Sequence, residues 1–165
     1  MKLSELTVLI VEDHEFQRTA LERALRTLGA VEIYTAGDGK EAIKVLKRLP
    51  GTVDIVISDL MMPDVDGIEL IPLLMSAASN VGLILTSSEP TSLSAAAAIA
   101  EALDVGLLGA IGKPLTVEKL RPLLENFCQA RALPVAAPVQ VLLETSLPAR
   151  LGGTAPWSAS RPRTA

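Results

Sequence analysis

Glu12, Asp13, Asp59, Thr86 and Lys113 stand at or just beyond the C-terminal ends of short apolar runs. Three carboxylates brought together repel one another. A hard divalent cation is the natural counter-charge, and Mg²⁺ suits one or two carboxylates completed by phosphate oxygens and water. Lys113 adds a compact ammonium suited to a phosphoryl oxygen. A carboxylate beside a metal and a lysine can accept a phosphoryl group, because charge on the transferring group is neutralised in place. Contact of strand ends with solvent would account for any one of these acids alone. It does not account for five chemically matched residues at successive ends.

These residues converge only if the runs are parallel strands. The runs cover residues 7–11, 31–35, 53–58, 81–86 and 107–111, each too short for a helix, and three are continuous rather than alternating. Strands buried on both faces of a parallel sheet read this way. Between them the apolar residues follow helical spacing, as in Leu21, Ala24, Leu25 and Leu28 before Gly29, and Ala42, Ile43, Leu46 and Leu49 before Pro50-Gly51. Further helices are expected over 68–78, 92–103 and 117–130. Five βα units follow, an α/β fold with a doubly wound parallel sheet and helices on both faces. Ligands of such sheets bind beyond the carboxyl ends of the strands. Pro72 and Pro122 fall within two of the helices, where each costs about 3 kcal/mol relative to Ala unless it sits late in the first turn or kinks the helix. Asp66 is a good N-cap for the helix that begins near Gly67. Gly106 and Gly109 bracket the last strand, where they serve either close backbone approach or ordinary turn punctuation. Met61 and Met62 read as loop packing, and His14 as structural or solvent-facing.

Composition narrows the function classes. The 165 residues hold 15 basic and 19 acidic side chains, and 49% are hydrophobic against 2% aromatic. That is enough apolar surface for one core, and too few rings for base stacking on single-stranded nucleic acid. Cys128 is the lone cysteine, so an intramolecular disulfide and a cysteine zinc cluster are both excluded. No apolar run approaches the roughly 18 residues of a membrane span, and Glu5 interrupts any signal peptide; a cytoplasmic location is the expectation. Residues 1–130 hold 11 basic and 18 acidic groups, whereas 131–165 hold 4 and 1, with five of the eleven prolines. The second segment is expected to be a mobile tail or linker. Its charge forms no basic cluster, so nucleic acid is not an expected partner. Residues 135–143 are apolar enough for one short element that could dock on a second copy of the chain, a homodimer.

Four stretches carry a family resemblance: Val8-Leu-Ile-Val-Glu-Asp-His14, Asp54-Ile-Val-Ile-Ser-Asp-Leu-Met-Met-Pro-Asp-Val-Asp-Gly67, Leu85-Thr-Ser87 and Gly106-Leu-Leu-Gly-Ala-Ile-Gly-Lys-Pro-Leu115. In this order and at these separations, residues 5–128 resemble the receiver domain of two-component response regulators, related to the chemotaxis regulator. The resemblance implies a flavodoxin-like (βα)5 fold with strand order 2-1-3-4-5 and a receiver domain over 1–130. It implies that Asp59 is the phosphoacceptor, that Asp13 ligates Mg²⁺ directly and Glu12 directly or through water, and that Met61 offers its main-chain carbonyl to the metal. Thr86 and Lys113 would bind phosphoryl oxygens, with Lys113-Pro114 resembling the family's cis peptide. The implied partner is a histidine kinase or phosphotransfer protein. The chain would then catalyse only its own phosphorylation and hydrolysis, and would not be an enzyme acting on an outside substrate.

The alternative is a receiver-like module that binds partners without phosphorylation. Such scaffolds usually lack a metal or lysine position, and all five are present here. Val11-Glu-Asp-His-Glu-Phe-Gln-Arg18 and Leu108-Gly-Ala-Ile-Gly-Lys-Pro-Leu115 look like receivers fused to cyclic-di-GMP phosphodiesterase domains, although no phosphodiesterase motif follows. One departure stands out. Receivers commonly carry Tyr or Phe three residues before the Lys, where this chain has Ala110. Other chemistries fit poorly: Gly37-Asp-Gly-Lys40 lacks the spacing of a phosphate loop, Met61 replaces the second Asp of a dehalogenase-type pattern, and one histidine cannot complete a Ser-His-Asp set.

Overall fold

The computed structural model describes residues 1–63, 67–78 and 80–132. Asp66 and residues 133–165, with the expected tail and its 135–143 element, lie outside the described residues. Five strands, β1 (Thr7–Val11), β2 (Glu32–Ala36), β3 (Ile55–Asp59), β4 (Gly82–Ser87) and β5 (Leu107–Gly112), alternate with helices α1 (Glu15–Leu28), α2 (Gly39–Arg48), α3 (Gly67–Ala77), α4 (Pro90–Ala102) and α5 (Val117–Ala132). A short 3-10 turn over Leu3–Glu5, unsignalled by periodicity, precedes β1.

The sheet is parallel with order β2-β1-β3-β4-β5. This order explains which apolar runs are continuous. β1, β3 and β4 are interior strands buried along their whole length, while β2 and β5 are edges with partly exposed residues. Alternate residues of each strand feed opposite faces. Leu9, Val56, Leu83 and Leu85 pack beneath α2, α3 and α4, and Val8, Ile10, Ile57 and Ile84 pack against α1 and α5. Each such side chain, fully buried, contributes about 1.5–3 kcal/mol.

Helix ends follow local chemistry. Asp38 caps α2 by accepting from the Glu41 amide at 2.7 Å, while Glu41 accepts from the Gly37 amide at 2.7 Å. The Gly37–Lys40 stretch is therefore a helix start. Gly29 ends α1 at φ 100°, a left-handed conformation that favours glycine. Gly106 lies so near β4 that a Cβ there would come within 3.0 Å of the Val81 carbonyl oxygen, which is the close-approach role and not turn punctuation. Gly109 instead leaves space for the Leu123 side chain. Between Leu83 and Ile84 the pairing skips from Leu107 to Gly109, so Leu108 bulges out of β5.

Several boundaries differ from the sequence reading. β3 and β4 run one residue further, through Asp59 and Ser87, because the backbone of these polar residues still pairs with the neighbouring strand whatever their side chains. Pro72 and Pro122 sit at the sixth residue of α3 and α5, past the first turn. Each therefore removes one i→i−4 bond, and the packed apolar face sustains the helix.

Adjacent residues of α3 test this packing. Leu74 is fully buried and Leu73 is 49% exposed. Leu74→Ala is expected to cost about 2–5 kcal/mol in urea unfolding, and Leu73→Ala no more than about 0.5 kcal/mol. Equal costs would contradict the orientation of α3.

Candidate functional site

The C-terminal ends of β1, β3 and β5 meet at one edge of the sheet. Glu12 and Asp13 follow β1, Asp59 ends β3, and Lys113 follows β5. One carboxylate oxygen from each of Glu12, Asp13 and Asp59 lies within 4.8 Å of the others. Glu12 and Asp59 are buried, and Asp13 is exposed. The Lys113 ammonium donates to Asp59 Oδ2 at 2.6 Å and to Glu12 Oε2 at 2.8 Å. Its backbone is tied to β4 by Lys113 N donating to the Ser87 carbonyl at 2.9 Å, and the Lys113-Pro114 bond is cis.

Further bonds shape the loops. Met61 N donates to Asp59 Oδ1 at 3.1 Å, and His14 N to Glu12 Oε1 at 3.2 Å. Arg18 Nη1 donates to the Glu12 carbonyl at 2.7 Å. Around these groups opens a cleft of about 660 Å³, lined also by Gln17, Met61, Ser88, Glu89 and Ser92.

The four charged residues come together as expected. Thr86 does so only in part. It pairs with Asp59 in register, but its buried hydroxyl donates to the Ser58 carbonyl at 3.4 Å and does not line the cleft. Both methionines border the cleft, but Met62 packs into the core, whereas Met61, read as packing, is 53% exposed. His14 is exposed at the start of α1. The sequence reading missed Gln17, whose Oε1 accepts from Lys113 Nζ at 2.5 Å. A neutral residue on the first turn of α1 carries no charge or spacing signal. Arg18 was missed for a similar reason, since its partner is a backbone carbonyl.

Charge is unevenly compensated. Burial raises the Glu12 carboxyl above its ordinary value and the nearby Asp59 charge adds to this; its bond to Lys113 opposes both. Burial alone would lower Lys113, but its bonds to Asp59 and Glu12 outweigh that and raise it above its ordinary value. The directions agree physically: one ammonium serves two carboxylates, so it is over-compensated and Glu12 is under-compensated. Among the described residues Asp13 has no ion-pair partner. A set of three carboxylate oxygens with excess negative charge fits a hard, oxygen-preferring cation.

A family model for the response regulator receiver domain matches residues 8–125. The chain belongs to the response regulator receiver family. It is 35% identical over 127 residues to the cyclic di-GMP phosphodiesterase RocR of Pseudomonas aeruginosa, a match covering 76% of this chain and 32% of that protein. It is 32% identical over 129 residues to the probable chemotaxis protein CheY of Rhizobium etli, covering 76% of this chain and 95% of that one. Among solved structures, the Vibrio cholerae chemotaxis protein CheY4 superposes at TM-score 0.61 with 27% identity, over 74% of this chain and 98% of that chain. This receiver thus spans about a third of RocR and nearly all of the CheY relative. Among its described residues no helix is long and apolar enough to cross a membrane.

The raised Glu12 gives a sign that can be measured in metal-free protein. The folded state holds the Glu12 proton more tightly than the unfolded state does. Its stabilising contribution is full below about pH 4.5 and is lost as pH rises through the folded value. The stability of Glu12→Gln minus that of the parent is therefore expected to rise between about pH 4.5 and pH 7, with a slope of at most about 1.4 kcal/mol per pH unit. Urea unfolding in EDTA across this range checks it, and a flat or falling difference would contradict the burial of Glu12 beside the Asp59 charge.

Proposed function

We propose that this receiver accepts a phosphoryl group on Asp59 from a histidine kinase or phosphotransfer protein, with Mg²⁺ held by Glu12, Asp13, Asp59 and the Met61 carbonyl. The observation that carries the reading is the juxtaposition of three carboxylates and one ammonium at the strand ends. In this reading an Asp59 carboxylate oxygen attacks phosphorus, and the bond from phosphorus to the donor atom breaks with its electron pair leaving on the donor. Bound Mg²⁺ would supply charge neutralisation for the phosphoryl oxygens. The protein's own groups do the rest. Met61 N holds Asp59 Oδ1 in place, and Lys113 is poised to pass from carboxylate to phosphoryl oxygen. Thr86, one strand away, offers the hydroxyl that can turn from the Ser58 carbonyl toward the new anion.

Phosphorylation then serves as a switch of binding surface in the cytoplasm, without turnover of an outside substrate. Residues 133–165 act in this reading as a tail or linker; Arg131 and Ala132, assigned to that tail by composition, are instead the last residues of α5, where Arg131 pairs with Asp54. A phosphorylation-independent module has no particular feature of the site in its favour, since every position of the acidic and basic set is filled.

A small acyl phosphate with Mg²⁺ is expected to add one phosphoryl group, seen by intact mass, and EDTA or Asp59→Ala to abolish it. An undiminished adduct in Asp59→Ala would sink the assignment. Mg²⁺ at 100 times its dissociation constant is expected to stabilise the unphosphorylated protein by about 2.7 kcal/mol, readable as a higher melting temperature. No change in melting temperature would favour the phosphorylation-independent module.

The path of the signal follows from which residues can move. Ala110 is exposed on edge strand β5 and has no rotamer to change. Thr86 and the loop ahead of α4 can move, and Ser88, Glu89 and Ser92 already line the cleft. Backbone amide resonances on adding a phosphoryl mimic are expected to change more over 87–93 than over 108–111, and the reverse order would refute this route.

A further inference from the structure

The Lys113 ammonium has three N–H donors and no acceptor. All three are taken: by Asp59 Oδ2 at 2.6 Å, Glu12 Oε2 at 2.8 Å and Gln17 Oε1 at 2.5 Å. Because the ammonium can only donate, the Gln17 amide must present its oxygen to it. Two of these acceptors belong to the acidic cluster itself, and Gln17 alone reaches Lys113 from α1. Lys113 and Gln17 also line a second cavity of about 440 Å³, which shares Glu12 and Ser88 with the cleft and is walled by Phe16, Ala20, Leu21 and Leu115. The four-carbon stem of a lysine has free space there, so once the bond to Asp59 is given up, Glu12 and Gln17 are the acceptors that keep the ammonium over the cleft.

We propose that Gln17 is a positioning residue for phosphoryl capture: its carbonyl takes one N–H of Lys113 and aims the other two at the Asp59 side of the cleft. This rests on the reading of Asp59 as phosphoacceptor. The residue type follows from the charge balance. A third acceptor is needed, but another carboxylate would compete with the incoming phosphoryl group for the ammonium and add repulsion to the cluster. An amide accepts without adding charge. When Asp59 is phosphorylated, the bond to Gln17 persists while the bond to Asp59 Oδ2 is exchanged for one to a phosphoryl oxygen.

The test uses the full chain, acetyl phosphate and Mg²⁺, with adduct formation followed by intact mass. Gln17→Met keeps the volume and removes the carbonyl, and is expected to slow adduct formation about tenfold, the rate equivalent of a hydrogen bond to a charged group at the low end of its range. Gln17→Glu is expected to slow it as well while moving the Mg²⁺ midpoint of the melting transition to lower concentration. A merely structural role would not move rate and metal affinity in opposite directions. Wild-type rates in Gln17→Met, alongside a parent adduct that Asp59→Asn removes, overturn the inference and leave the phosphoacceptor reading intact. No adduct in the parent counts against that reading instead. The contact is then judged by the double-mutant cycle of Gln17→Met with Lys113→Met in urea, where non-additive stabilities are expected and additive ones overturn it.

Discussion

Three carboxylate oxygens within 4.8 Å of one another, with one ammonium among them, form an arrangement that an isolated chain would never hold. Removing one partner from a buried pair of this kind costs about 3–5 kcal/mol, so the scaffold beneath must be stiff enough to keep repelling groups close. A parallel sheet supplies that stiffness. β1 and β3 are interior neighbours, which fixes Glu12 and Asp59 by ladder geometry, and Lys113 is tied to β4 through the Ser87 carbonyl. The apolar residues of these strands are the reason the charges can be crowded at their ends.

Much of this was legible in the sequence because it depends on patterns that backbone geometry enforces. Continuous apolar runs mark β1, β3 and β4, whose two faces are both covered. A polar residue at the end of such a run must stand at the end of the sheet, so Glu12 and Asp59 could be placed together from spacing alone, with Lys113 just past the last strand. What escaped depends on single side-chain choices. The Leu108 bulge needs no special residue, and Gly109 is as compatible with a turn as with packing against Leu123. The resting bond from Thr86 to the Ser58 carbonyl is a rotamer, which the residue's identity does not specify. Gln17 is one polar residue among several on an amphipathic helix, and its contact with Lys113 spans 96 positions.

The site also separates what must be constant from what can vary. Charged groups converge from the strand ends, while the cleft wall comes from loops and first turns: Met61, Ser88, Glu89 and Ser92. These wall residues touch the space a phosphoryl group or its donor would enter without holding the framework. A receiver can thus be retuned at its walls with little effect on the core. Ala110 belongs to the same pattern, an exposed residue of β5 outside the charged centre.

β3 carries a second carboxylate just before its other end, and the contrast is instructive. Asp54 Oδ2 accepts from the Thr7 amide at 3.0 Å, and Oδ1 accepts from Arg131 at 2.7 Å. That guanidinium also donates to the Asn80 carbonyl at 2.5 Å and lies 4.9 Å from the centre of the Phe127 ring. A planar guanidinium held on several sides does not change acceptors, whereas a lysine ammonium does so readily. One end of the strand is therefore an anchorage and the other an exchangeable contact, made from the same amino acid at similar burial. A strand fastened in this way cannot slide to absorb new charge. The displacement has to emerge in the loops above it, which makes β3 a fixed anvil against which the loops are worked.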